Sequence, residues 1–389
     1  MTRVLDGLTV LSLEQATTLP FLTYRLACEG ARVIRVEHRA RPDPNRFVGR
    51  DILGELDMRS YFLPNNCGKE AITLNLGEAE GRALLGDLVA RLPVDVFATN
   101  QRPRNYVPLG IDDETLRGRR ADLIWLGISG FGLAHDEAAY DPVLQARAGL
   151  MALTGEIDGP PTPFGLPMVD LGAAEHGYGE VMKALYHRAR TGKGARIDVS
   201  MFRSAVSWMV SPIVLDSLGE RMTRRGSTHQ FFAPVAVHAT RDGHVYAVVG
   251  NDQQWAALAR LPAFAGVDRP EYAANAGRIA DVGRLHAALA ERFERLTTAE
   301  ALALLRGAGV PVAPVATLAD VVADPLVAPG LMRVRDPRTG VTIALPRPPV
   351  TDPPPLAFPP RLGEHTDTVL AVAGCDAGRR ADLRRRGVV

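Results

Sequence analysis

The sequence predicts an α/β fold: a Rossmann-like, mostly parallel sheet in a large domain, plus a smaller α+β domain. Three observations carry this expectation. Short runs rich in Val, Ile and Leu alternate with helical patterns from the N-terminus to about residue 200. From about residue 225 to 325 the alternation stops, and a hairpin pattern leads into consecutive helices. With 389 residues, 46% hydrophobic and 23% charged, the chain is long enough for two domains and at least one large core.

The elements follow in order. Leu8 to Leu13 reads as a buried strand, residues 20–29 as a helix, and Ala31 to Glu37 as a second strand, which together open the chain as a βαβ unit. Ala71 to Leu76, a helix at about 78–91, Val94 to Ala98 and Leu123 to Ile128 continue the alternation. Uniform alternation implies a parallel sheet covered on both faces, with ligands gathered at the carboxyl ends of its strands. A long helix ends near Arg190, and the turn Arg190-Thr191-Gly192-Lys193-Gly194 feeds a strand from Ala195 to Val199. The first domain is therefore expected over 1–200, a linker over 201–224 and the small domain over 225–325. Within the small domain, Ala236 to Val249 forms a hairpin around Asp242-Gly243, followed by helices at about 252–260, 279–294 and 298–308. Residues 326–389 form a return segment. Its tract 342–362 holds eight prolines and reads as an extended connection, and one or two helices follow from 366.

Composition excludes several function classes. A formal charge of +1 gives no global basic field, so neither nucleic acid nor an anionic membrane is expected as a partner. Positive charge is almost all arginine, with lysine only at Lys69, Lys183 and Lys193. Cys28, Cys67 and Cys375 show no paired spacing for a metal site or a disulfide framework, which fits a reducing, cytoplasmic setting. The apolar run Leu8 to Leu13 is broken by Glu14, so no signal-peptide core is expected, and no stretch approaches the roughly 20 apolar residues of a membrane span. The first strand leads into Glu14-Gln15-Ala16-Thr17-Thr18-Leu19-Pro20 instead of Gly-x-Gly-x-x-Gly, which argues against a nicotinamide or flavin cofactor. Glu37, at the end of the second strand, then reads as a solvated strand end.

The residue that draws the chemistry is Asp170. Gly165-Leu166-Pro167-Met168-Val169-Asp170 runs into Leu171-Gly172-Ala173-Ala174, placing one carboxylate at the mouth of a helix just after a Gly/Pro-rich turn. Asp is a favoured N-cap residue there. Free N–H donors and the positive end of the helix dipole also favour the ionised, nucleophilic carboxylate, so the cap and nucleophile roles are compatible.

Taken together, the segments of this chain resemble the family III CoA-transferases, with the α-methylacyl-CoA racemases as relatives. The resemblance spans Leu5-Asp6-Gly7-Leu8-Thr9-Val10-Leu11, Glu29 to Glu37, Asn66-Cys67-Gly68-Lys69 and Ile128-Ser129-Gly130-Phe131-Gly132. It continues through Tyr140 to Ala146, Gly149-Leu150-Met151, the Asp170 motif, the Arg190 to Gly194 turn and Leu362-Gly363-Glu364-His365-Thr366. It is the order of these pieces over the full length, and no single piece, that is specific. It implies an interlocked homodimer in which the 326–389 return segment completes the large, CoA-binding domain.

The resemblance further implies that Asp170 attacks a donor thioester and becomes an aspartyl-CoA thioester, from which CoA passes to a small carboxylic acid. Coenzyme A then enters as acyl-CoA substrate, with no permanently bound cofactor and no metal. Gly226 and His229, in Arg225-Gly226-Ser227-Thr228-His229-Gln230, match a mobile loop that would stabilise oxyanions, although this one is poorer in glycine than in the formyl-CoA transferases. Arg39, Arg41, Lys69, Arg102 and Arg104 match positions that handle the nucleotide. Arg39, Arg102 and Lys69 are equally readable as solvated loop charges, Arg41 and Arg104 read more readily so, and Glu70 and Pro108 stand where the family has arginines. Gln15 and Thr17 fall on the segment where formyl-CoA transferases carry a glutamine, pointing to an acid other than formate or oxalate. Tyr140 matches an acyl-site tyrosine. Arg147 is an unusual charge in its segment, readable either as the grip on a second carboxylate or as a surface or interface residue; the first reading, with Thr17, suits a dicarboxylate with succinyl-CoA as donor. Two alternatives stand beside this reading. An α-methylacyl-CoA racemase would need paired acid and base, yet its motif has His where this chain has Tyr140. A non-catalytic CoA-binding protein would be expected to have lost Asp170.

Overall fold

The computed structural model describes residues 3–349 and 352–389, and Val350 and Thr351 of the proline tract lie outside the described residues. The chain divides into two units, the first comprising residues 1–148, 165–210 and 329–389 and the second residues 149–164 and 211–328.

In the first unit the elements run β1 (Thr9–Leu13), α1 (Thr18–Cys28), β2 (Arg32–Glu37), β3 (Lys69–Thr73), α2 (Ala79–Arg91), β4 (Val94–Thr99), α3 (Asp113–Arg117), β5 (Ile124–Ser129) and α4 (Asp141–Arg147). Six strands, each with its ends within three residues of the expected place, form one sheet of order β3-β2-β1-β4-β5-β6, every pair parallel, with β6 at Ala195–Ser200. This is the doubly wound order, whose reversal lies between β1 and β4. Strand residues such as Ile34, Ile72 and Phe97 are wholly buried, as strands of a parallel sheet covered on its faces require. On one face they pack against Leu84, Leu85, Leu88 and Val89, the apolar stripe of α2. This burial holds the helix in place more than its propensity does.

The long α6 (Met168–Thr191) carries Asp170 and runs close to α1 and β5. Gly177 makes that approach possible, because a Cβ there would lie 2.7 Å from Leu22 Cδ1. The return segment adds an antiparallel hairpin of β10 (Met332–Arg335) and β11 (Thr342–Leu345), which the proline-rich pattern had hidden, and two helices, α14 (Thr366–Val372) and α15 (Ala377–Arg385). The 201–224 stretch departs from the expected linker. Ser200 caps α7 (Met201–Ser207) by accepting from Arg203 N, and a further helix, α8 (Val210–Ser217), begins at the unit boundary.

The second unit holds α5 (Leu150–Leu153), an antiparallel sheet β7-β8-β9 (Val235–Thr240, Gly243–Val248, Val312–Pro314) and helices α9 (Asp252–Ala259), α10 (Asn275–Ala280), α11 (Val282–Phe293), α12 (Thr298–Gly307) and α13 (Leu318–Ala323). Leu285, Leu289 and Phe293, one turn apart on α11, pack with Trp255, Phe264 and Tyr272 into its core. No helix among the described residues is long and apolar enough to cross a membrane.

Candidate active site

The strand order opens a crevice at the carboxyl ends of β1 and β4, and the loops that leave those strands wall a cavity of ≈ 170 Å³. Gln15 and Ala16 come from the loop after β1, Thr18 from the first residue of α1, Asn100 to Pro103 from the loop after β4, and Ile128 to Gly130 from the end of β5. The 135–141 segment, Met201 and Asp170 close the remaining sides.

Asp170 is the third residue of α6, with Pro167 at the N-cap. The cap role belongs to another carboxylate: Asp141 Oδ2 accepts from Val169 N at 2.7 Å and from Asp170 N at 3.0 Å. Asp141 is itself buried, and its Oδ1 accepts from Gln145 Nε2. The helix-end donors expected to favour ionised Asp170 are therefore taken by Asp141. Burial raises the Asp170 pKa, Thr18 Oγ1 opposes the rise by donating a short hydrogen bond to Oδ1, and the Asp141 charge adds to it, leaving it at about 6. At pH 7 such a group is still about nine-tenths ionised, and it is both partly desolvated and more basic than an ordinary aspartate. That combination suits a nucleophile.

The other expected residues divide into those at the cavity and those held elsewhere. Gln15 lines it, with its backbone N–H donating to Asn100 Oδ1 and its C=O accepting from Asn100 Nδ2. Thr17 is buried at the start of α1, and it is the next hydroxyl, Thr18, that reaches Asp170. Tyr140 lines the cavity and is 74% exposed. Arg147 stands behind the wall: it pairs with Glu137, a lining residue, at 2.7 Å, and lies over the rings of Phe131 and Phe202. Arg102 lines the cavity, whereas Arg104 is outside it, paired with Asp136.

A second cleft of ≈ 410 Å³ shares Gln15 and Gln101 with the first. Its walls are Leu13, Leu74, Leu76 and Leu109, with His38, Arg41 and Asn105 at its polar places. Arg39 is exposed in the neighbouring turn and lines neither space.

Lys69 does not face a ligand. It is wholly buried and donates to Glu14 Oε1 at 2.7 Å, Pro20 O at 2.9 Å and Asn66 Oδ1 at 3.2 Å. Nor is Glu37 solvated. Its two oxygens accept from Arg46 Nη2 and Nε at 2.6 and 2.8 Å, with Arg35 at 3.2 Å. These groups and Asp43 form one buried set of three acids and three cations, in which attraction holds the Glu14 and Glu37 carboxyls low despite their burial. The second unit carries Gly226 and His229. Gly226 has φ +56°, and a Cβ there would lie 2.5 Å from a Glu156 carboxylate oxygen, so the position favours glycine. His229 Nδ1 accepts from Phe231 N within its own loop.

The family model for CoA-transferase family III matches residues 5–366. A human protein named succinyl-CoA:glutarate CoA-transferase is 31% identical over 404 residues, covering 99% of this chain and 90% of its own length. A Haloarcula marismortui protein named succinyl-CoA:mesaconate CoA-transferase is 34% identical over 396 residues, covering 96% and 97%. Among solved structures, a CAIB/BAIF family protein from Brucella suis superposes with a TM-score of 0.85 at 32% identity, covering 96% of this chain and 100% of its own.

Proposed function

The chain belongs to CoA-transferase family III, and from that premise we propose that Asp170 carries CoA from succinyl-CoA to a dicarboxylic acid. The observation that supports this most is Asp170 itself: a carboxylate in the switch-point cavity, bonded to a hydroxyl and free of ion pairs among the described residues, with its pKa near 6. The relatives' names supply the donor and the class of acceptor.

In this reading Asp170 Oδ2, the oxygen not held by Thr18, attacks the thioester carbonyl and expels CoA thiolate, giving a mixed anhydride. The thiolate then attacks the aspartyl carbonyl, releasing the donor acid and leaving an aspartyl-CoA thioester. The acceptor carboxylate attacks that thioester and expels thiolate again, and the thiolate takes the acceptor's acyl group, restoring Asp170. No proton is gained or lost over the cycle, and each step exchanges acyl groups of similar transfer potential. Thr18 keeps one oxygen in place, and the Asp141 cap fixes the helix turn from which Asp170 projects.

The nucleotide end of the substrate is assigned to the second cleft, where leucines would cover the adenine and Arg41 would meet phosphate, with Arg102 at the passage to the thioester. Tyr140 and Gln15 face the acyl portion. Arg147 meets a distal carboxylate by exchanging its exposed pairing with Glu137, which is weak enough to be displaced. Gly226 and His229 supply the loop that closes during turnover, and two chains assemble as a homodimer.

The test is peptide mass spectrometry after incubation with succinyl-CoA, with Asp170→Ala as control. A CoA adduct on the Asp170 peptide, absent from the variant together with at least about a 10⁴-fold loss of transfer to glutarate, is expected. An unmodified peptide accompanied by α-proton exchange on a 2-methylacyl-CoA would instead identify a racemase.

A further inference from the structure

Ala16 lines the reaction cavity in a conformation that an alanine seldom adopts, with φ +62°. Strain of this kind persists only where the surroundings enforce it, and it gathers at functional sites. Here the enforcement can be traced atom by atom. Ala16 N donates to Asp43 Oδ1 at 3.0 Å, and Ala16 O accepts from Asn45 Nδ2 at 2.8 Å. On the other side, Asn100 takes both backbone groups of Gln15. Two residues on, Thr18 opens α1 and gives its hydroxyl to Asp170.

Asp43 is in turn fixed from below. Its Oδ2 accepts from Arg35 Nη2 at 3.0 Å, its backbone N donates to Glu37 Oε2 at 3.1 Å, and its Oδ1 also accepts from Asn45 N. Arg35 is fully buried among Glu14, Glu37 and Asp43. Glu14 accepts from Thr23 of α1 at 2.6 Å, so the same set of charges also holds the helix that begins at Thr18. A buried ion set of this kind is a poor source of stability compared with apolar packing, which turns attention to the geometry it maintains.

We propose that Asp43, anchored by Arg35, is a positioning residue for the transfer reaction: it holds Ala16 left-handed and thereby sets the Thr18 hydroxyl on Asp170. The proposal rests on the reading of Asp170 as nucleophile. Asp43 touches neither the cavity nor substrate, and it acts through the turn alone. Asp43→Asn cannot serve both partners, because its one oxygen satisfies either the Ala16 N–H or Arg35 while its amide group opposes the other. Ala16→Gly makes the left-handed turn accessible without enforcement. The two substitutions therefore make a specific prediction together.

The measurement is the rate of CoA-adduct formation on the Asp170 peptide after rapid mixing with succinyl-CoA, in the full chain at a temperature where circular dichroism shows each variant folded. Asp43→Asn is expected to slow the adduct about tenfold or more, to leave the succinyl-CoA concentration at half-maximal rate within about twofold, and to regain at least about threefold when combined with Ala16→Gly. A wild-type rate in Asp43→Asn, or no recovery in the double variant, overturns the positioning role. Absence of any adduct in the wild-type chain overturns the nucleophile reading beneath it, which separates the two failures. Where Asp43→Asn does not fold, Ala16→Pro decides, since it removes the N–H that Asp43 accepts and forbids the left-handed φ while leaving all six buried charges in place. It should slow the adduct, and an unchanged rate overturns the proposal.

Discussion

Two groups of carboxylates, one buried and the other only partly so at Asp170, lie near the carboxyl edge of the same sheet, and their environments are opposite. Glu14, Glu37 and Asp43 sit among Arg35, Arg46 and Lys69, so attraction to cations outweighs burial and keeps Glu14 and Glu37 ionised well below the usual carboxylate range. Asp170 has a hydroxyl partner and a neighbouring carboxylate, so burial outweighs the hydrogen bond and its pKa rises to about 6. The first arrangement uses its charges up in mutual contacts and becomes an anchor. The second leaves an oxygen with lone pairs uncommitted, which is the condition for attack on a thioester. All of these side chains are carboxylic acids, and the nearby cations decide the role.

The largest expected effect breaks the anchor. Lys69→Met removes the ammonium that Glu14 accepts from, leaving Arg35 at 3.9 Å as its remaining cation. Loss of one partner of a buried pair should cost roughly 3–5 kcal/mol of unfolding free energy in urea titration. The KM for succinyl-CoA should stay near wild type in the folded variant, because Lys69 is wholly buried. A large rise in KM with unchanged stability would return Lys69 to the substrate site.

The second effect sharpens the comparison through pH. The Asp170 pKa is raised from 3.8 to about 6, so between those values the folded chain keeps a proton that the unfolded chain has lost. Stability from this group is therefore present below about pH 4 and is lost as pH rises through 6, a total of about 3 kcal/mol. Asp170→Asn cannot ionise, and it should be the more stable protein at pH 7.5, with its advantage shrinking toward pH 4.5. Urea unfolding of both at several pH values checks this, and an advantage that does not change with pH would place the Asp170 pKa at its ordinary value.

Much of the fold was legible because parallel strands buried on both faces must be short apolar runs, and the intervening helices must carry apolar stripes. All six strands of the sheet were visible in that pattern. The site was legible only where its residues act from their own local segment. Asp170 follows from a turn and a helix start, but its cap, Asp141, lies 29 residues earlier, and the Tyr140-Asp141-Pro142 segment drew attention to the tyrosine alone. Lys69 and Glu37 looked available because the partners that bury them, Glu14 and Arg46, come from other segments of the chain. Thr18, the neighbour of the expected Thr17, reaches Asp170 from a loop that holds the left-handed Ala16 two residues earlier. No hydrophobic period reports such an angle, and nothing in the residue type of alanine suggests it.

The smallest effect separates what Thr18 does from what burial does. Thr18→Val keeps the side chain's shape and removes the one hydrogen bond that draws the Asp170 pKa down. Two consequences compete. A more basic carboxylate is the stronger nucleophile, but a carboxylate that has lost its fixed partner turns more freely and is ionised over a narrower pH range. Placement should win, because a lost hydrogen bond to a charged group is worth about 1.5–3 kcal/mol, whereas a pKa that rises a further unit changes intrinsic nucleophilicity by only a few-fold. Transfer at pH 8 should thus fall by about tenfold, and the acidic limb of the kcat/KM profile should move above 6. A profile that moves while the pH 8 rate holds would make Thr18 a tuner of charge alone. A rate that falls while the profile stays fixed would assign the control of Asp170 ionisation to its burial and to Asp141, and the hydroxyl would then serve only to aim the nucleophile.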